Sequence, residues 1–152
     1  MAATKFQFND GGRKSAGFKG KADDCVTRAI AIAMERPYSD VYAAINQAAE
    51  HERGRKGRIG FLAATGRGSS ARTGVLKDTW KRFLRDAGWA WTPTMLIGSG
   101  CTVHLRGDEL PSGRLIVSCS RHLVAVIDGV VHDTFDSSRD GNRCVYGYWR
   151  QS

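Results

Sequence analysis

The stretch "RHLVAVIDGVVHDTF", Arg121 to Phe135, decides how this chain folds and where its chemistry gathers. An apolar run meets Asp128-Gly129, the favoured two-residue link of a hairpin, and a second apolar run follows. With that turn, Ile127 sits opposite Val130, Val126 opposite Val131, Val124 opposite Asp133, and His122 opposite Phe135. Side chains alternate along a strand, so His122, Val124 and Val126 share a face with Val131, Asp133 and Phe135. Asp133 is then the diagonal neighbour of His122. At about 7–8 Å between their stems, carboxylate and imidazole are within reach of each other. His132 and Asp136 fall on the other face.

Around this hairpin the sequence predicts further short strands in "CTVHL", "RLIVSCS" and "RCVYGYW", with Gly, Pro, Asp and Ser between them. The first half of the chain reads as helical. A helix starts at Asp23 or Asp24, either of which can cap it, and Val26, Ala29, Ile30, Ala33 and Met34 recur at helical spacing. Ala31 and Ile32 make it apolar almost all round, which marks a central, buried helix ending at Pro37. Ser39 caps a second helix through "DVYAAINQAAEH". A third covers Val75 to Ala87, with Leu76, Trp80, Phe83, Leu84 and Ala87 as its buried stripe and Gly88 as its stop. Helices followed by strands predict an α+β fold, with N-terminal helices packed on a C-terminal antiparallel sheet.

With 152 residues and no repeats, the chain is expected to be a single domain, 1–152, able to bury a core without metals or staples. Residues 1–20 read as an irregular segment that Phe6, Phe8 and Phe18 pin to the body. Residues 53–73 read as a basic, Gly- and Ser-rich loop. No run is long and apolar enough for a membrane span and no secretory leader is evident, so a cytoplasmic setting with four free thiols is expected. Two C-x-x-H pieces, Cys101/His104 and Cys119/His122, would each point their side chains to opposite faces of a strand. No metal site and no cofactor is therefore expected. The net charge of +8 permits an acidic partner or nucleic acid. No helix-turn-helix, zinc finger or RNA-binding aromatic strand accompanies it.

A His oriented by a carboxylate is a general base held in one tautomer. Cys25, at the first turn of the buried helix, is the thiol such a base can activate, because the helix N-terminus favours a thiolate. Its own amide, free at the helix start, can help stabilise an oxyanion. Free cysteine is among the residues most often buried, and each of these side chains alone suits a structural role. Their order and facing raise them above that reading: a Cys at a helix start, a later His at a strand start, an Asp on the same face.

Here the chain resembles the papain-like superfamily of cysteine peptidases, most closely small bacterial or phage C39-like and NlpC/P60-like domains. Cys25 in "DDCVTRAIAIA", His122 in "RHLVAVID" and Asp133 in "VVHDTF" match the nucleophile, base and orienting residue of those families in that order. The resemblance covers about residues 19–135. It implies a cysteine-dependent amide hydrolase working on peptide or protein substrates through a thioester. Acyl transfer, deamidation and removal of ubiquitin-like tags use the same chemistry. The family pattern carries a Gln about six residues before the Cys, where this chain has Lys19. Gln7, Asn9, Lys19 and Asp24 are the alternatives for the second oxyanion donor. Within the basic loop Arg53, Arg55, Lys56, Arg58, Arg67 and Arg72 are candidates for holding an acidic substrate or partner. The alternative to an enzyme is a basic, non-catalytic binding protein that uses this loop.

Overall fold

A computed structural model describes residues 5–19, 24–53 and 77–152. Among them lie β1 (Lys5–Phe8), α1 (Cys25–Met34), α2 (Tyr38–Arg53), α3 (Lys77–Asp86), β2 (Trp89–Pro93), β3 (Arg114–Cys119), β4 (His122–Ile127), β5 (Val130–Asp133) and β6 (Gly147–Gln151). The strands form one sheet in the order β1-β5-β4-β3-β6-β2. The fold is mixed α and β, as the pattern of helices then strands implies.

The sheet is not wholly antiparallel. β1 lies parallel to β5, with Phe6 beside Val131 and Phe8 beside Asp133. A parallel neighbour needs a long crossover, and everything between residues 9 and 129 supplies it. The expected irregular N-terminus is thus partly a strand, while Phe18 packs against Tyr38 and Tyr42. β2 was likewise not singled out beforehand; it pairs with β6 along its whole length. Conversely, "CTVHL" is no strand. Only His104 makes an isolated bridge, to Cys144, and of "RCVYGYW" only the residues from Gly147 onward lie in β6.

α1 is buried on nearly every side, with Val26, Thr27, Ala29, Ile30, Ala31, Ile32 and Ala33 all inside. It lies over β4 and β3 and forms one core with Val41 and Ile45 of α2, Trp80 and Leu84 of α3, and Ile116, Leu123, Ala125 and Trp149 of the sheet. Its first residue follows Asp24, whose side chain does not cap it. At its other end Glu35 turns left-handed, and Arg36 N–H reaches back to the Ala31 carbonyl at 3.0 Å. The Pro37 carbonyl accepts from Val41 N–H at 3.2 Å, so Ser39 lies already inside α2 rather than capping it. In α3 Trp80 and Leu84 are buried, Phe83 is half-buried and Ala87 is exposed; Val75 and Leu76 lie outside the described residues. A second core fills the opposite face of the sheet, where Leu105, Leu110 and Val145 cover Leu115, Val117, Val124, Val126 and Val131.

Two of the four cysteines are not thiols. Cys101 and Cys144 form a disulfide, their Cα atoms 5.8 Å apart beside the His104–Cys144 bridge. The expectation of four thiols treated residues 101–105 as a strand and missed that pairing. It also misjudged the facing of Cys101 and His104, whose Sγ and Nε2 are 3.6 Å apart. Among the described residues no cluster of three metal-binding side chains occurs, and no helix is long and apolar enough to cross a membrane.

Gly147 opens β6 directly against Trp91 of β2. A Cβ there would lie 2.4 Å from the Trp91 ring and 2.7 Å from the Thr92 carbonyl oxygen. Gly147→Ala should therefore cost about 1–3 kcal/mol of stability through overpacking, read as a lower denaturation midpoint. An unchanged midpoint would mean that β2 and β6 do not pack this closely.

Candidate active site

The hairpin has the register that its Asp-Gly turn dictates. Ile127 pairs with Val130, Val126 with Val131 and Ala125 with His132. Asp128 and Gly129 both have positive φ, the backbone a type I′ link requires. Nε2 of His122 donates to Oδ2 of Asp133 at 2.6 Å, and the Phe135 ring lies 5.6 Å from the imidazole. His132 is on the other face, where its Nδ1 accepts from Nδ2 of Asn9 at 3.2 Å.

Cys25 starts α1 beside the start of β4, near enough to His122 for the imidazole to act on its sulfur. Since Asp133 holds Nε2, Nδ1 is the nitrogen left for the sulfur. The three side chains form one chain: thiol, imidazole, carboxylate. Burial pushes the Cys25 thiol up, but the His122 hydrogen bond and charge, the Leu123 amide and Arg28 together outweigh it. The net shift is downward from 9.0. Burial pulls His122 down, and the hydrogen bonds and charges of Asp133 and Cys25 more than reverse this, so its imidazole lies above 6.5. Burial likewise pushes Asp133 up, and His122, Ser137 and the Thr134 amide hold it below 3.8.

These shifts favour a thiolate beside an imidazolium, and they also have a sign for stability. Asp133, lowered, stabilises the fold above 3.8 and loses that contribution as pH falls through its folded value. His122, raised, contributes fully below 6.5 and loses its part as pH rises through its folded value. The two overlap from 3.8 to 6.5, where the pair holds the fold most firmly.

Behind the chain lies a cluster that the sequence reading did not include. Arg28, one turn along α1, joins Asp24 to Asp133, with Nη2 3.3 Å from Oδ1 of Asp133. Asp24 is 2% exposed and also accepts from the Tyr38 hydroxyl at 2.6 Å, with Arg13 Nε at 3.5 Å. Ser137 Oγ donates to Asp133 Oδ2 at 2.8 Å, and Thr134 N–H to Oδ1 at 2.7 Å. The i,i+4 spacing of Asp24 and Arg28 was a readable signal for their pair. Nothing local pointed to Ser137, which arrives through the turn after β5.

A groove of about 380 Å³ opens over Cys25 and His122, lined also by Lys77, Trp80, Ser118, Arg121 and Tyr146. A larger cavity, about 950 Å³, lies by the opposite end of α1 around Arg36, Arg114 and Arg150, and neither thiol nor imidazole lines it. None of the expected second oxyanion donors reaches the groove. Gln7 is exposed on β1 with Nε2 on the Phe8 carbonyl, and Asn9 is taken up by His132 and by the Gly11 amide at 2.8 Å. Lys19 is exposed away from the groove lining, and the Asp24 carboxylate is an acceptor engaged by Arg28 and Tyr38. Arg53 is the last residue of α2, and Arg55, Lys56, Arg58, Arg67 and Arg72 lie outside the described residues.

No protein-family model, no curated protein and no solved structure matches this chain.

Two measurements check that geometry. Iodoacetamide at about pH 6–7 should label Cys25 and spare Cys119, whose thiol burial pushes up to about 11. Equal rates at the two thiols would remove the case for an activated Cys25. Arg28→Met should cost about 3–5 kcal/mol in denaturant melts, because two buried carboxylates lose their shared cation. Arg28→Lys, which keeps the charge but not the fork, should fall between.

Proposed function

We propose that this protein is a cysteine-dependent amide hydrolase of papain-like design, acting on peptide or protein substrates through a thioester. The observation that supports this best is the unbroken chain from the Cys25 sulfur through His122 to Asp133, anchored by the 2.6 Å Nε2–Oδ2 bond at the floor of a groove. A structural cysteine needs neither an oriented base nor open space above its sulfur.

In this reading the Cys25 thiolate attacks the carbonyl carbon of the scissile amide, and the carbonyl electron pair moves onto oxygen. The Cys25 amide, in the first turn of α1, precedes the helix's own hydrogen-bond ladder and is the backbone donor proposed for that oxygen. The His122 imidazolium gives its Nδ1 proton to the leaving nitrogen, the C–N bond breaks, and the acyl group remains on sulfur. His122, now neutral, takes a proton from water as it attacks the thioester, and the acid leaves with the thiolate restored. Asp133 keeps the proton on Nε2 throughout and stabilises the imidazolium. Acyl transfer or deamidation would differ only in the amide attacked or in the acceptor that resolves the thioester.

p-Nitrophenyl acetate tests the reading without knowledge of the natural substrate. A burst of p-nitrophenolate should accompany one acetyl group, mapped by mass to Cys25. Cys25→Ala should abolish the burst, and Asp133→Asn should slow acylation by about 10²-fold or more. His132→Ala should leave it nearly unchanged. Acetylation elsewhere, or a burst indifferent to Asp133→Asn, would sink the assignment.

A further inference from the structure

The groove over Cys25 carries charge of one sign. Lys77, the first residue of α3, and Arg121, in the turn between β3 and β4, both line it, and among the described residues no Asp or Glu does. Beyond Cys25 and His122, its other walls are uncharged, among them Trp80, Tyr146, Leu123 and Ser118. Among the described residues neither Lys77 nor Arg121 takes an ion pair, although the chain has carboxylates to spare for Arg106 and Arg114. Two cations therefore face an opening that ends at a nucleophilic sulfur, and no carboxylate among the described residues pairs with either.

Arg121 carries a second, independent sign. Cys119 pairs with His122, so Ser120 and Arg121 alone make the link between β3 and β4. Arg121 has φ 55, the left-handed region in which Gly or Asn is the ordinary occupant of a two-residue link. An arginine held there is strained by its Cβ, and its exposed side chain is not used to pack the fold. The backbone would favour Gly, so the side chain has to contribute something else. Its position, one residue before His122 and on the groove wall, indicates what.

We propose that Lys77 and Arg121 form an anion-recognition pair over Cys25, and that the preferred substrates are acidic peptides with a carboxylate close to the scissile bond. This rests on the reading of Cys25 as a thiolate nucleophile. The guanidinium offers a planar, two-pronged match to a carboxylate, and the lysine a movable point charge beside it. Trp80 and Tyr146 border the same opening, while both cations are exposed, so their attraction is open to screening by salt.

Alkylation with iodoacetate and with its neutral counterpart iodoacetamide tests this on the intact chain. In both, the Cys25 thiolate attacks the methylene carbon, a C–S bond forms and iodide leaves; the reagents differ in the carboxylate. The His122 imidazolium also attracts an anion, so the comparison between variants isolates the pair. At low salt, Arg121→Gly and Lys77→Gln should each lower the iodoacetate-to-iodoacetamide rate ratio at Cys25 by about threefold to tenfold, the double variant by more. Added salt should erase most of the difference. Arg121→Lys should keep most of the ratio. Arg121→Gly should melt at the same temperature or higher, because glycine relieves the turn, so a lost preference cannot be ascribed to unfolding. Brisk iodoacetamide labelling with a ratio that neither substitution moves would overturn the pair and leave the nucleophile standing. Failure of Cys25 to label with either reagent would overturn both.

Discussion

The buried carboxylate of Asp133 is the constraint around which the site is arranged. It is 3% exposed, and an ionised carboxylate in that position costs several kcal/mol unless donors surround it. The donors come from four parts of the chain: His122 at the start of β4, Arg28 on α1, Ser137 in the turn after β5, and the adjacent Thr134 amide. Satisfying one charge therefore ties helix, hairpin and turn together at the end of the sheet where α1 begins. The same bonds hold the His122 ring in one orientation with its second nitrogen toward Cys25. The local fold and the orientation of the base have a common cause.

Arg28 extends that logic to a second buried carboxylate. Asp24 and Asp133 carry two negative charges, and Arg28 with Arg13 supplies two positive ones. The Cys25–His122 pair inside this cluster is neutral overall whether the proton rests on sulfur or on nitrogen. Moving it leaves the net charge of the buried group unchanged, so the surroundings need not reorganise to accommodate a new ion. A buried polar cluster of this kind adds little net stability over apolar packing. Its consequence is geometric: Asp24, the residue before Cys25, and Asp133, behind His122, are held by a single guanidinium.

What the sequence made legible follows from the range of the forces involved. The β4–β5 register was readable because a two-residue Asp-Gly link determines it locally, and the diagonal His122–Asp133 contact follows from that register. α1 was readable because its apolar residues cover every face. The parallel pairing of β1 with β5 and the Cys101–Cys144 disulfide join residues over a hundred and forty-odd positions apart respectively, and no local pattern encodes them. Asp24 shows a subtler failure. Residue type and position both suit a helix cap, but a buried carboxylate takes the strongest donors within reach, and Arg28 and Tyr38 outcompete backbone amides. Arg121 was passed over because a charged turn residue looks ordinary until its φ is known.

The two free thiols act as an internal control on what burial alone does. Cys119 and Cys25 both lose water, and for each the loss of solvation is the largest influence, acting upward. Cys119 has only the more distant charges of Arg143 and Arg139 to oppose it, and its thiol rises to about 11. Cys25 has a hydrogen bond to His122, the Leu123 amide and the charge of Arg28, and its thiol falls. They sit on neighbouring walls of one groove, so a difference in bulk dielectric cannot separate them. What separates them is the set of specific groups acting on one sulfur: His122, the Leu123 amide and Arg28. That sulfur lies where α1 begins, the hairpin's histidine ends and the groove opens, and it is the only one of the two with a base to exchange its proton.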